Sequence, residues 1–190
     1  MAKQGKAAVL DSSQHQAFLD FLSTTRQPIQ NKAIYLLGYR AGLRVGSIAG
    51  LRLNDVLDAS GNLKEIVHLR KDIVKNRSNY SVYLSHPELR KALEDYLAER
   101  PESEVDALFV TQKLTAFSPN SLSHKLQKLF LDAGIEGASS HSMRRSYATS
   151  KIRAGVDLVT LKTLMNHANI QQTAEYVATN DEMLLKANAY

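Results

Sequence analysis

The side chains best suited to chemistry lie towards the C-terminal end of the chain. His141 and Arg144 stand three positions apart at the predicted start of a helix, which places both on one helix face. His167 follows one helix later, and Tyr176 lies on the polar side of another. A guanidinium can hold an oxyanion, an imidazole can transfer a proton, and a tyrosine hydroxyl can act as a nucleophile. Each residue alone has an ordinary alternative, because isolated His and Arg commonly face solvent and isolated Tyr commonly packs.

Helical segments are predicted to position most of these residues. Helices begin at cap residues or prolines, namely Asp11, Pro28, Pro87, Ser118 and Asp157, and glycines end helices at Gly42, Gly134 and Gly155. Ile170, Ala174 and Val177 share a predicted buried stripe on a short helix, and residues 181–188 are a candidate for a last one. Arg44 is therefore expected just past a helix end.

A small three-stranded antiparallel sheet is predicted between residues 62 and 85. Tyr80, Val82 and Leu84 alternate with their neighbours, which is the period-two pattern of a half-buried strand. Residues 66–69 and 73–74 supply two more short apolar runs, and residues 75–79 have the composition of a hairpin turn. The predicted fold class is α+β, mainly α, in a single domain covering residues 1–190.

The charge of the chain favours an anionic partner. Lysine and arginine number 24 against 19 acidic residues, which gives a net charge of +5. Five basic residues fall within one short segment, namely Lys64, Arg70, Lys71, Lys75 and Arg77. A polyanion such as nucleic acid would be attracted there, since binding releases its counterions. The excess is mild, and a solvated basic surface is the alternative.

Composition also excludes several classes of protein and site. The chain has no cysteine, which rules out a disulfide framework, a thiolate nucleophile and a cysteine metal site. No His pair has zinc-helix spacing, and neither a Gly-x-Ser-x-Gly elbow nor a Gly-x-x-x-x-Gly-Lys loop occurs. No stretch could span a bilayer, and no apolar segment follows the basic N-terminus as in a secretory signal. We therefore expect a soluble cytoplasmic protein without metal, cofactor or membrane contact.

Several stretches resemble the motifs of the tyrosine recombinases, the phage integrase family. Residues 41–48, AGLRVGSI, followed by LRLNDV, are similar to the first arginine box of that family. Residues 141–147, HSMRRSY, resemble its His-x-x-Arg box. The closing pattern of the family, with its usual spacing, matches AGVD at 154–157, LMNH at 164–167 and TAEY at 173–176. The resemblance runs from about residue 10 to about residue 180.

The resemblance implies an enzyme that cuts and rejoins double-stranded DNA at specific sites, in integration, excision or inversion of a mobile element. Arg44 and Arg144 would stabilise the charge that gathers on the phosphate oxygens. His141 and His167 would donate to the same oxygens or accept the proton of the nucleophile. Tyr176 would attack phosphorus and leave a 3′-phosphotyrosine, so that strands rejoin without ATP.

The family also implies a general acid and a mode of assembly. The departing 5′-oxygen takes its proton from a lysine on a β-hairpin, which Lys75 matches and for which Lys71 competes. Further DNA contacts are expected from Arg70, Lys71, Arg77 and Arg145. A dimer or tetramer is expected on DNA, with residues 177–190 as an exchange segment that packs on a neighbouring subunit. The N-terminal DNA-binding domain of most members is expected to be absent from this chain.

Three positions depart from the family pattern. Ser47 stands where members usually carry an acid, Arg145 where many have His, and Asn166 where Gly is common. The substitution at Ser47 favours one rival interpretation, a catalytically weakened DNA-binding regulator of the same fold. A second rival is a related enzyme that relaxes supercoils without choosing a site.

Overall fold

Helices form most of the chain in this computed structural model, which describes residues 7–75 and 77–177. The helices are α1 (Ser12–Ser23), α2 (Pro28–Ala41), α3 (Val45–Gly50), α4 (Leu53–Val56), α5 (Pro87–Glu99), α6 (Pro119–Asp132), α7 (Ser140–Arg153), α8 (Leu158–Leu164) and α9 (Gln171–Ala174). Strands β1 (Ile66–Leu69) and β2 (Tyr80–Tyr83) pair in antiparallel fashion, with Ile66 opposite Tyr83. The predicted fold, mainly helical with a small antiparallel sheet, is confirmed.

Helix ends follow the local signals in the sequence. The Asp11 carboxylate accepts the backbone N–H of Gln14 and caps α1, and Pro28 occupies the first turn of α2. Gly42 ends α2 in the left-handed region at φ 67°, where a side chain is strained. A Cβ atom there would lie 2.6 Å from the Tyr147 ring. The backbone conformation and the close approach of Tyr147 both require glycine just before Arg44.

The sheet has two strands in the described part of the chain, not the three predicted. Residues 71–73 form a 3₁₀ turn, and Val74 follows it outside any strand. Ile73 packs so closely on α3 that a Cβ atom added to Gly50 would lie 2.5 Å from its Cγ2 atom. The apolar pair at 73–74 therefore anchors the connection between β1 and β2 to the body of the protein instead of pairing as a strand.

The core that carries these elements is built around α2. Most residues of helix α2 are buried, and the helix packs against α1 and α5. Phe18 stacks on Phe130 with ring centroids 4.2 Å apart, and Tyr35 meets Phe18 edge-on at 4.8 Å. Each large apolar side chain removed from water in this way contributes about 1.5–3 kcal/mol. The core thus fixes both ends of α2, including the end that leads to Arg44.

The chain divides into two compact units, residues 1–147 and 148–190, with the division inside α7. In the second unit Leu161, Met165 and Thr173 are buried. Ile170 is 43% exposed, so the predicted apolar stripe on the last helix is wrong. The proposed segment 181–188 lies outside the described residues, and the expectation of a single catalytic domain stays a prediction. No helix in the described ranges is long and apolar enough to cross a membrane.

Candidate active site

Arg144 lies at the centre of the candidate site in the first unit. It stands on the second turn of α7, and only 6% of it is exposed. Its Nη1 donates a hydrogen bond to the carbonyl oxygen of Gly42, the residue that ends α2. A buried guanidinium is costly unless its donors are satisfied, and this carbonyl satisfies one of them without adding charge. The predicted His-x-x-Arg residue is therefore fixed by a backbone atom of the first arginine box.

Tyr80 brings the two arginine motifs together. Burial raises the pKa of its hydroxyl. The positive charges of Arg144 and Arg44 both oppose that increase, so both guanidiniums lie near the Tyr80 hydroxyl. Arg44 itself is partly exposed and immediately precedes α3. The structure thus gathers the two sequence-predicted arginines of the first unit around one buried phenol.

Two other α7 residues differ in their exposure. His141 is exposed at the start of the helix, one turn before Arg144. Tyr147 is only 5% exposed, and burial raises its pKa to about 12, with the Tyr80 side chain adding to the increase. A buried phenol that resists ionisation is a poor nucleophile. Tyr147 is therefore part of the packing around Arg144.

Lys75 lies in the connection between β1 and β2. The side chain is exposed and follows the 3₁₀ turn that Ile73 closes. The buried Ser47 hydroxyl donates to the Ile73 carbonyl at 2.8 Å and so joins α3 to this connection. Lys71 is exposed on the same turn. The connection is thus fixed to α3 two residues before Lys75, while the lysine itself faces solvent.

The second unit carries the remaining two predicted residues. His167 lies just beyond α8 and is buried, and its Nδ1 is 2.9 Å from the buried Thr173 hydroxyl. The His167 ring stacks on the Tyr176 ring, with centroids 5.9 Å apart and planes at 16°. Tyr176 is partly exposed in the turn that follows α9, and its backbone N–H donates to the Thr173 carbonyl. Thr173 therefore positions both the imidazole and the phenol.

The predicted DNA-contact residues fall into two groups. Lys71 and Arg77 are exposed, as a phosphate contact requires. The Arg70 guanidinium is instead held by Asp55 and Asp72, and Arg145 donates from Nη1 to the backbone carbonyl of Ala7. Lys64, in the same basic segment, donates from Nζ to the backbone carbonyls of Asn54 and Asp55. Two basic residues of this segment, Lys64 and Arg70, therefore make their contacts within the protein.

Sequence reasoning missed three residues that hold the site: Tyr80, Ser47 as an anchor, and Thr173. The alternation of β2 marks Tyr80 as inward-facing, but nothing local shows that it meets Arg144. Thr173 carried a weak signal, since it lies six residues after His167 and three before Tyr176. No group of three or more potential metal ligands occurs among the described residues.

Comparison with known proteins defines the family. The model of the phage integrase family matches residues 8–183. The chain belongs to the phage integrase family. It is 30% identical over 161 residues to the tyrosine recombinase XerC of Caldanaerobacter subterraneus subsp. tengcongensis, a match that covers 82% of this chain and 43% of that protein.

Two further matches extend the similarity to most of this integrase-family chain. It is 28% identical over 190 residues to transposase A from transposon Tn554 of Staphylococcus aureus, which covers 95% of this chain and 51% of that one. The crystal structure of the XerA recombinase superposes with a TM-score of 0.78 at 25% identity, covering 98% of this chain and 66% of that chain. The chain therefore spans about half the length of the two sequence relatives.

The structure accounts for two departures from the integrase-family pattern. Asn166 has φ 45°, in the left-handed region that Gly and then Asn tolerate best, and it ends α8 directly before His167. Asn thus replaces the common Gly without changing the turn. At Ser47 the short hydroxyl donates to a backbone carbonyl, a bond that a carboxylate could not make because it only accepts.

Proposed function

We propose that this chain is the catalytic part of a site-specific tyrosine recombinase, which cuts and rejoins double-stranded DNA through a 3′-phosphotyrosine. The observation that carries the proposal is the buried Arg144 guanidinium, which donates to the Gly42 carbonyl and, like Arg44, lies near the Tyr80 hydroxyl, in a chain of the phage integrase family. A fixed pair of guanidiniums can meet the negative charge of a phosphodiester under attack without a metal. Integration, excision or inversion of a mobile element is the setting.

Tyr176 is the proposed nucleophile. Its oxygen forms a bond to phosphorus while the bond from phosphorus to the 5′-oxygen breaks, and its proton passes to His167 or His141. Support comes from the stacking of Tyr176 on His167 and from the partial exposure of the phenol. Tyr147, by contrast, is buried near Arg144.

Lys75 is the proposed general acid, and it gives its proton to the departing 5′-oxygen. Its exposure on an anchored connection suits a group that must reach a bound backbone. A substrate with sulfur in place of that bridging oxygen has a better leaving group and hardly needs the proton. Sulfur should therefore restore cleavage by Lys75→Ala and leave Arg44→Ala impaired. Rescue of Lys71→Ala instead would move the role to Lys71.

Adduct trapping tests the proposed reaction. Nicked suicide duplexes are made from the ends of mobile elements in the source genome, so that the cleaved fragment leaves and the covalent protein–DNA adduct accumulates. Wild-type chain should form the adduct and Tyr176→Phe should not, although both bind DNA equally. Tyr83→Phe, which alters an exposed tyrosine, is the matched control. An adduct that persists in Tyr176→Phe, or that maps to Tyr147 or Tyr190, contradicts the assignment.

The same assay separates the rival functions. A catalytically weakened DNA-binding regulator, which the absence of an acid at Ser47 favours, would bind the duplexes and form no adduct. A supercoil-relaxing enzyme would relax plasmid that carries no recognition site, whereas a site-specific recombinase would not. Each rival thus predicts a different pair of results.

A dimer or tetramer on DNA is the proposed assembly, inside the bacterial or phage-infected cell. The proposed exchange segment, residues 177–190, lies beyond the described residues except for Val177. Deleting residues 181–190 should abolish the slower-migrating multimers on native gels and spare binding to a single site. Unchanged multimers would exclude this role for the segment.

A further inference from the structure

The segment that precedes α1 is hydrogen-bonded to α7, far away in the sequence. The Leu10 backbone N–H donates to the Ser146 hydroxyl oxygen at 2.8 Å, and both residues are 3% exposed. The Arg145 guanidinium donates from Nη1 to the Ala7 carbonyl. Two consecutive residues of the His-x-x-Arg box, directly after its arginine, therefore bind this N-terminal strap (residues 7–10).

We propose that Ser146 is a positioning residue for strand cleavage, which holds α7 against the N-terminal strap and so keeps Arg144 where it meets the phosphate. This inference rests on the proposed function and names a further residue for the same reaction. Ser146 touches neither the DNA nor the nucleophile in this role and acts through α7. Arg145, where many family members have His, serves the same contact instead of binding DNA.

Ser146 and Arg144 lie on opposite sides of α7, because residues two positions apart on an α-helix are separated by about 200°. On one side Arg144 donates to the Gly42 carbonyl, and a Cβ atom added to Gly42 would lie 2.6 Å from the Tyr147 ring. On the other side the Ser146 hydroxyl accepts from Leu10. The first half of α7 is thus held between the end of α2 and the strap, so that losing one contact lets the helix move relative to the other.

The Ser146 hydroxyl is fixed by two hydrogen bonds. Its single proton goes to the Ser142 carbonyl at 2.8 Å, one turn earlier, which leaves its oxygen to accept from Leu10. A buried N–H without an acceptor is costly, so the strap and the hydroxyl hold each other in place. The Ala8 N–H donates to the Gly137 carbonyl at 3.3 Å, before α7 begins. Because the strap binds both the helix and the loop that leads into it, it resists rotation of α7 as well as translation.

Ser146→Ala tests the proposal, because it removes the acceptor of the strap and keeps a residue that favours helix. Cleavage of the nicked suicide duplex at saturating DNA should slow by about 10- to 100-fold, the effect expected of a misplaced catalytic group, while the dissociation constant for DNA should barely change. The matched control is Thr25→Val, which removes a hydroxyl with two hydrogen bonds between α1 and α2 and should cleave at the wild-type rate. Both are assayed at a temperature where circular dichroism shows them fully folded. A Ser146→Ala rate equal to that of the control overturns the proposal.

Removing the strap N–H alone gives a second variant of the same contact. Replacing Leu10 by the corresponding α-hydroxy acid turns one amide into an ester, keeps the Leu10 side chain and leaves Ser146 intact, so it decides the question if Ser146→Ala folds poorly. The ester should slow cleavage as much as Ser146→Ala does. Both changes together should be no slower than either alone, since both remove the same hydrogen bond. An ester that cleaves at the wild-type rate, or losses that add, would overturn the proposal.

The sulfur-bridged substrate tests whether Ser146 acts through Arg144. The defect of Ser146→Ala should persist on sulfur, as it should for Arg144→Lys, because charge stabilisation at the phosphate is needed for either leaving group. Full rescue by sulfur would overturn the proposal and place the effect of Ser146 on the general acid, Lys75.

A measurement without DNA separates this inference from the proposed function. The isotope-labelled carbonyl carbon of Gly42 reports the hydrogen bond from Arg144 through its chemical shift. In Ser146→Ala the shift should move towards the value found in Arg144→Ala, and in Thr25→Val it should stay unchanged. An unchanged shift in Ser146→Ala overturns the inference even if wild-type chain forms the adduct. A moved shift in a chain that forms no adduct would refute the proposed function and with it the part of Ser146 in cleavage.

Discussion

Two arginines of this chain, Arg144 and Arg70, are held in different ways. Arg144 is 6% exposed, and its Nη1 donates to the carbonyl oxygen of Gly42. The Arg70 side chain is 27% exposed and donates to the Asp55 carboxylate at 3.0 Å and to Asp72 at 2.6 Å. Burial lowers the pKa of Arg70, but the two carboxylates outweigh that effect and raise it. Arg144 thus donates to a neutral backbone atom, whereas Arg70 is held by two ion pairs.

The contacts of Arg70 bind its side chain into the fold. Arg70 donates also to the Gly50 carbonyl at 2.6 Å, and the same Asp55 accepts the backbone N–H of Arg52. It therefore ties the end of β1 to α3 and α4. Its charge is already matched by two acids, so little is left to attract a phosphate.

The largest expected effect comes from replacing Arg144 by lysine. Arg144→Lys should slow adduct formation by about 10²–10³-fold, since it removes a preorganised donor pair. A buried amine can also lose its charge. Burial lowers the pKa of Lys125 to about 8, where its hydrogen-bond acceptor is the Gln27 amide oxygen. Arg70→Lys, the matched control, should cleave at nearly the wild-type rate, as measured by suicide-substrate kinetics; equal losses would erase the distinction.

For stability, Arg70 should matter more than Arg144, which is the reverse of the order expected for cleavage. Arg70→Met should reduce the free energy of unfolding by about 3 kcal/mol, because it leaves the buried Asp55 carboxylate without its cation. Urea titration followed by circular dichroism measures this loss. The double variant Arg70→Met with Asp55→Asn should recover part of it, since the unpaired charge is gone. No recovery would mean that Arg70 stabilises by packing alone.

The free energy of unfolding should depend on pH through Lys125, a partly buried amine with a neutral acceptor. Its pKa is about 8 in the folded chain against 10.5 unfolded, so between these values the unfolded state binds more protons and stability rises with pH. Lys125→Met has no such pH-dependent contribution. At pH 7 its free energy of unfolding should exceed that of the wild-type chain by about 1 kcal/mol, and this difference should shrink as pH rises from 8 towards 10.5. Lys128→Met on the same helix corrects for the loss of a surface charge; a gap that stays constant with pH would contradict the prediction.

The smallest effect is expected at the outer acid of the Arg70 pair. Asp72 is 63% exposed, so Asp72→Asn should cost no more than about 0.5–1 kcal/mol, the usual range for a solvent-screened pair. Arg70 keeps its bonds to Asp55 and Gly50. Thermal unfolding in low and high salt measures the difference. A loss as large as that of Arg70→Met would show that Asp72, rather than Asp55, holds the guanidinium.

The sequence by itself determined the helix ends, the class of fold and the family motifs. Asp11, Pro28 and Gly42 act on the backbone within a few residues, so their effects are readable from local spacing. The alternation in β2 and the three-residue step from His141 to Arg144 are local as well. Short-range sterics and hydrogen bonds decide such features, whatever lies elsewhere in the chain.

Only the tertiary structure decided which charges and hydroxyls meet. Ile73 packs against Gly50, which lies 23 positions earlier in the chain, and does not form a third strand. Gly42 and Arg144 are 102 positions apart, yet a hydrogen bond joins them, whereas Arg70 is held by the Asp55 carboxylate. Because an arginine is the same residue type beside a carbonyl or a carboxylate, its partner, which long-range packing selects, determines what its charge can do.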